Sequence, residues 1–153
     1  MGSEMCIRDS YKSPGAGAND IDYVTISTLG NAADFGDLSN AVYVPASLAS
    51  TTRGIFAGGT TTSTVLNVIE YVTIATTGNA TDFGDLTTAT AALDGVSNTI
   101  RGVTGGGETP SKTNTMNKIT IASTGNATDY GDLIFSVGKP SGASNGHGGL
   151  IGG

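Results

Sequence analysis

The sequence predicts an all-β chain of tandem repeats, and three observations carry that expectation. The stretch Thr73–Leu86, TIATTGNATDFGDL, recurs at Thr25–Leu38 with 11 of 14 residues identical and at Thr120–Leu133 with 12 of 14, at spacings of 48 and 47 residues. A fixed period of this size marks a repeat architecture. Composition is the second observation. Of 153 residues 24 are Gly and 13% are charged, with β-branched Thr abundant. Gly and Thr weaken long helices and suit short strands joined by tight turns. Third, runs such as Ile21–Thr28 (IDYVTIST) alternate as half-buried strands do.

Taken in order, residues 1–13 read as a non-native or disordered leader, because Met1–Lys12 matches no repeat. That segment holds the single cysteine, Cys6, which can form no internal disulfide. Residues 14–153 are the repeat array, divided 21–68, 69–115 and 116–153, the last unit incomplete. Ser13–Asp20 is a turn-rich lead-in. The first strand of each unit is expected at Ile21–Thr28, Ile69–Thr76 and Met116–Ser123. Val24, Val72 and Ile119, with Ile26, Ile74 and Ile121, should form its buried face. Tyr23 and Tyr71, replaced by Lys118 in the third copy, should be partly solvated.

Gly30-Asn31, Gly78-Asn79 and Gly125-Asn126 follow as hairpin-turn signals. A short strand comes next at Asp34–Leu38, Asp82–Leu86 and Asp129–Leu133, anchored by Phe35, Phe83 or Tyr130 and by its Leu. A third strand is expected over Ala41–Leu48, with a counterpart near Ala89–Val96. The fourth ends in a Gly pair, at Arg53–Gly59 and Arg101–Gly107. Gly149–Gly153 keeps that register with Gly148 in the place of Arg. Four short strands per period is the measure of a propeller blade, so about three four-stranded antiparallel blades are expected. A β-solenoid is the second reading and an antiparallel sandwich the third.

These residues resemble kelch-type propeller repeats. The resemblance lies in a strand closing on Gly58-Gly59 or Gly105-Gly106, a Tyr-bearing strand (Tyr23, Tyr71), and an aromatic-x-x-Leu strand. It departs from the family in having no Trp at the last aromatic. On this reading Gly58, Gly59, Tyr71, Asp82, Phe83, Gly84, Asp85, Leu86, Arg101, Gly105 and Gly106 are structural repeat positions. The phrase TIATTGNATDFGDL also looks like repeats in virion structural and tail-fibre-like proteins of marine cyanophages. The resemblance implies a fragment of a longer propeller, an open arc with exposed blade faces, completed by remaining blades of that chain.

No catalytic constellation stands out. The pairs Asp34/Asp37, Asp82/Asp85 and Asp129/Asp132 have the oxygen chemistry that Ca²⁺ takes. Residues three apart on a regular strand point to opposite faces, however, and turn capping is the favoured role. Arg53 and Arg101 are expected to meet a carboxylate of a neighbouring loop. His147 stands in a Gly/Ser/Asn loop without a second His or a Cys beside it. The Gly clusters lack the helix and Lys of a phosphate loop. Net charge is −6, which disfavours a nucleic-acid groove, and no apolar run is long enough to insert in a membrane as a helix.

The loops Thr60–Asn67 and Glu108–Thr115 differ between copies while their flanks do not. Thr60, Thr61, Thr62 and Ser63 in the first, and Glu108, Thr109 and Lys112 in the second, are the candidate contact residues. The resemblance to cyanophage repeats implies a non-enzymatic function that needs no cofactor: a structural or adhesive module of a phage virion, extracellular, contacting other virion proteins or host-surface glycan. A secreted or surface bacterial propeller for protein or carbohydrate binding is the alternative, and a fragment of a kelch-type enzyme ranks below it.

Overall fold

The computed structural model describes residues 4–6, 18–145 and 147–153. Most of the leader and most of Ser13–Asp20 therefore lie outside the described residues. The strands are β1 (Glu4–Cys6), β2 (Ala18–Val24), β3 (Ala33–Val42), β4 (Ala46–Ala49), β5 (Arg53–Ala57), β6 (Val68–Thr73) and β7 (Thr81–Asp85). They continue as β8 (Asp94–Ser97), β9 (Arg101–Gly105), β10 (Thr113–Thr120), β11 (Thr128–Val137), β12 (Ser141–Ser144) and β13 (Gly149–Gly152). All pair antiparallel, and every sheet is a simple meander: β1-β2-β3, β4-β5-β6-β7, β8-β9-β10-β11 and β12-β13, here sheets I to IV. The all-β antiparallel expectation holds, and the two complete sheets have four strands each.

The repeat is phased differently from the strand-by-strand expectation. The stretch Ala41–Leu48 is not one strand. Val44 takes a left-handed φ of 47°, and the chain leaves β3 of sheet I and enters β4 of sheet II around it. Ala92 (φ 53°) and Lys139 (φ 58°) make the same break at the same place in the next two units. Their backbones form a short ladder between units: Ala92 N–H donates to Val44 O at 3.0 Å, and Lys139 N–H to Ala92 O at 3.1 Å. A non-Gly residue in this region costs roughly 1–3 kcal/mol, and the ladder bonds offset part of that.

The hairpin turns also fall elsewhere. The first strands of the units end three or four residues earlier than expected, and the reversal is a tight turn, Thr28 N–H to Thr25 O, Thr76 N–H to Thr73 O and Ser123 N–H to Thr120 O. Gly78-Asn79 and Gly125-Asn126 are therefore not the turn. They lie extended against the preceding sheet, where Gly78 N–H donates to Phe35 O and Gly125 N–H to Phe83 O, both at 2.7 Å.

Among the described residues the core forms two clusters, one per closed junction. Ile21, Phe35, Leu38 and Val42 of sheet I pack on Phe56 and Val72 of sheet II. Ile55, Ile69, Phe83 and Leu86 of sheet II join Ile119, Ile121 and Ala127 of sheet III. Sheet II is thus buried on both faces, which corrects the expectation of one buried face. The Tyr face also carries Ile69 and Phe83, which are buried, while its tyrosines are half-buried. Along the Val/Ile face burial rises with position in the array: Ile26 is 64% exposed, Ile74 half-buried and Ile121 1% exposed.

Candidate functional site

The local cause of sheet stacking is a glycine notch in the DFGD strand. Register shifts where β6 meets β7, between Ile69 and Glu70, and at the matching places in β2–β3 and β10–β11. Phe83 is the extra residue of the bulge, and Gly84 takes φ 145°. Gly inside a strand often marks such a bulge or a close backbone approach; here it marks both. A Cβ on Gly84 would stand 2.6 Å from the carbonyl carbon and oxygen of Gly125, and one on Gly36 would strike the same atoms of Gly78. The notch is completed by Asn79 Oδ1 accepting from Asp37 N–H at 3.2 Å and Asn126 Oδ1 from Asp85 N–H at 3.1 Å. Ala80 N–H and Ala127 N–H return to Asp37 O and Asp85 O at 2.8 and 2.7 Å.

The bulge revises the reading of the Asp pairs. Asp82 pairs with Glu70 and Asp85 with Val68, and partners two residues apart share a face, so Asp82 and Asp85 lie on one face rather than two. Phe83 and Leu86 share the opposite face for the same reason, and both enter the core. Among the described residues, no group of three or more His, Cys, Asp or Glu side chains could hold a metal ion.

Two buried polar side chains clamp the sheets from the middle strand. Glu70, 8% exposed, accepts from Ser39 N–H of sheet I at 3.1 and 3.3 Å. Asn117, 6% exposed, accepts from Thr87 N–H at 3.2 Å and from its hydroxyl at 2.5 Å. Arg53 does not meet a loop carboxylate as expected. Its Nη1 donates to Ile121 O at 2.8 Å, and its guanidinium stands 4.4 Å from the Tyr71 ring centre, so it too joins sheet II to sheet III. Tyr71 in turn packs edge-on against Phe83 at 6.0 Å, as Tyr23 does against Phe35. In the third unit Lys118 lies over Tyr130 at 5.9 Å, and Arg101 is exposed.

The variable loops stand at the opposite end of the Gly-pair strands, beside the left-handed ladder. Thr60 bridges Tyr43 and Val65, and Glu108 bridges Ala91 and Lys112. Both loops close on the same bond, Leu66 N–H to Gly59 O and Thr113 N–H to Gly107 O, each 2.9 Å. Gly59 and Gly107 are 48 apart and Leu66 and Thr113 are 47 apart, so the one-residue difference in period falls inside this loop. Of the candidate contact residues, Thr62, Ser63 and Lys112 are exposed at the tips. Thr60, Thr61, Glu108 and Thr109 are half-buried, and the Thr60 and Thr61 hydroxyls are spent on Thr64 O at 3.1 and 3.2 Å. His147 is exposed, its N–H donating to Asn145 Oδ1 at 3.1 Å.

A concavity of about 520 Å³ lies between sheet III and β13, bounded by Val103, Met116, Tyr130, Leu133 and Leu150. Ser97, Asn98, Arg101 and His147 line it as well, and no carboxylate stands among its lining residues. In comparisons with known proteins, the chain matches no family model and no curated sequence.

Proposed function

We propose that the chain is a non-enzymatic scaffold of propeller type, its sheets serving as blades. In this reading it belongs to the outside of a phage particle and presents Thr60–Asn67 and Glu108–Thr115 to host-surface glycan or protein. The observation that supports it is the contrast between frame and loop. The hydrogen bonds that close the two loops are the same, whereas the one-residue difference in length between the units falls between those bonds, where the sequence differs as well. A rigid scaffold with exchangeable tips is how β folds commonly carry recognition. The inner strands support the blade reading, because β4 contacts β8 and β8 contacts β12, each the first strand of its sheet.

The tips are short and neutral or singly charged, with hydroxyls at Thr62 and Ser63 and one amine at Lys112. Such groups hydrogen-bond sugar hydroxyls without the basic density that nucleic acid demands. The test is binding of the protein to host cells or purified surface polysaccharide, with a T62A/S63A/K112A variant beside it. Binding lost in the variant while its unfolding curve is unchanged supports the proposal. Absence of binding, together with absence of the protein from purified virions by mass spectrometry, overturns it.

A further inference from the structure

Two of the four sheets carry only part of the four-strand pattern that the repeat builds. By the repeat, β12 and β13 stand where β4-β5 and β8-β9 stand, and β2 and β3 stand where β6-β7 and β10-β11 do. We propose that a second copy of this chain completes the split sheet head to tail, β13 of one copy pairing antiparallel with β2 of the next. The register follows from β5 on β6, where Gly54 faces Val72, Ile55 faces Tyr71, Phe56 faces Glu70 and Ala57 faces Ile69. It places Gly149 opposite Val24, Leu150 opposite Tyr23, Ile151 opposite Asp22 and Gly152 opposite Ile21.

The two internal junctions serve as the template, and several of their features have an unfilled counterpart at the chain's two open faces. Apolar residues that the template buries are exposed there. Ile26 is 64% exposed where Ile121 is 1%, Leu150 is 79% where Ile55 is 0%, and Tyr130 is 51% where Phe83 is 2%. The notch is present and empty. Gly131 keeps a positive φ of 117°, yet nothing lies within 4 Å of a Cβ placed on it. The segment that would fill it, Gly30-Asn31-Ala32, is exposed beside sheet I. The concavity between sheet III and β13 is the space that the strands β6 and β7 fill at a closed junction.

Polar groups match as well. Asp22 holds the place of Glu70 and Asn117, so its carboxylate meets the N–H of Ile134 in the other copy, as they meet Ser39 and Thr87. Arg101 holds the place of Arg53, so its guanidinium reaches the Ile26 carbonyl of the other copy, as Arg53 reaches Ile121 O. The edge of β2 already accepts a strand in this register. β1 pairs Glu4 with Val24, Met5 with Tyr23 and Cys6 with Asp22. β13 competes with β1 for that edge, bringing four paired residues against three.

Each copy supplies strands for three sheets, so two copies closing on each other make six, within the four to eight blades of known propellers. That ring rests on the propeller reading above; the pairing itself does not. A head-to-tail contact that fails to close gives a filament instead. The test is a C6S chain carrying Y23C and L150C, oxidised and examined by non-reducing electrophoresis and intact mass. Cross-links between chains are expected, as facing residues of paired strands come within disulfide reach. A doubly linked dimer supports both pairing and ring. A ladder of longer species supports the pairing and refutes the propeller. Unlinked chains, or a bond within one chain, overturn the proposal.

Sedimentation of Ala32→Glu gives the second arm. Ala32 is exposed in the single chain, whereas its equivalent Ala127 is 7% exposed. At least a tenfold weaker association is expected, with the monomer's unfolding unchanged. Association equal to the wild type would overturn the pairing.

Discussion

The junction between sheets II and III and the free face of sheet III are built from nearly the same residues, yet their environments are opposite. Phe83 and Leu86 are 2% and 4% exposed, while their equivalents Tyr130 and Leu133 are exposed and half-buried. The burial of the DFGDL strand is therefore not a property of that strand. It is conferred by the extended Gly-Asn-Ala segment of the following unit, which seats on the notch and covers it. The repeat is cooperative in one direction: each unit finishes the core of the one before it, as expected of quasi-one-dimensional arrays.

This contrast can be broken most severely at the notch. Gly84→Ala puts a methyl 2.6 Å from the Gly125 carbonyl and strains a φ of 145°. It is expected to cost roughly 3–5 kcal/mol in denaturant unfolding. Gly131→Ala meets no neighbour and should cost only backbone strain, roughly 1–2 kcal/mol. Equal losses would mean that the close approach is not the reason for glycine. The aromatic position gives the next contrast. Phe83→Ala should cost about 3–4 kcal/mol and Tyr130→Ala less than about 1 kcal/mol, because only the first opens a cavity.

The clamp comes third. Asn117→Ala leaves the Thr87 N–H without its acceptor and should cost about 1–3 kcal/mol, with Thr87 amide exchange accelerated as the specific readout. The smallest effect concerns Thr104, which stands where Phe56 does in sheet II. It is 4% exposed, and its hydroxyl is the one buried side-chain polar atom without a partner among the described residues. Thr104→Val should stabilise by up to about 1 kcal/mol, read as a rise in the urea midpoint; a fall would show that the hydroxyl is satisfied.

The repeat period, the antiparallel strands and the variable loops were legible in the residues, because near-identical copies expose their own phase. The strand boundaries were not. Gly-Asn reads as a hairpin turn by local chemistry, but the Thr25–Thr28 type of turn makes the reversal, and the Gly-Asn backbone is claimed by a sheet over 40 residues away. Sequence periodicity reports that two positions are equivalent, not which unit they touch. The bulge had a signal in Gly84, since glycine within a strand marks a kink or a close approach. Following that signal would have put Asp82 and Asp85 on one face. Charge alone pairs Arg53 with a carboxylate, whereas a carbonyl and a tyrosine ring satisfy its guanidinium.

The most direct measurement of the stacking is residue-resolved amide hydrogen exchange at Gly78, Ala80, Gly125 and Ala127. Their N–H groups donate only across sheet boundaries, to Phe35, Asp37, Phe83 and Asp85. Protection comparable to that of the β5–β6 ladder is the predicted result. Exchange as fast as in an unstructured peptide, with the ladders still protected, would mean that the sheets form but do not seat on one another.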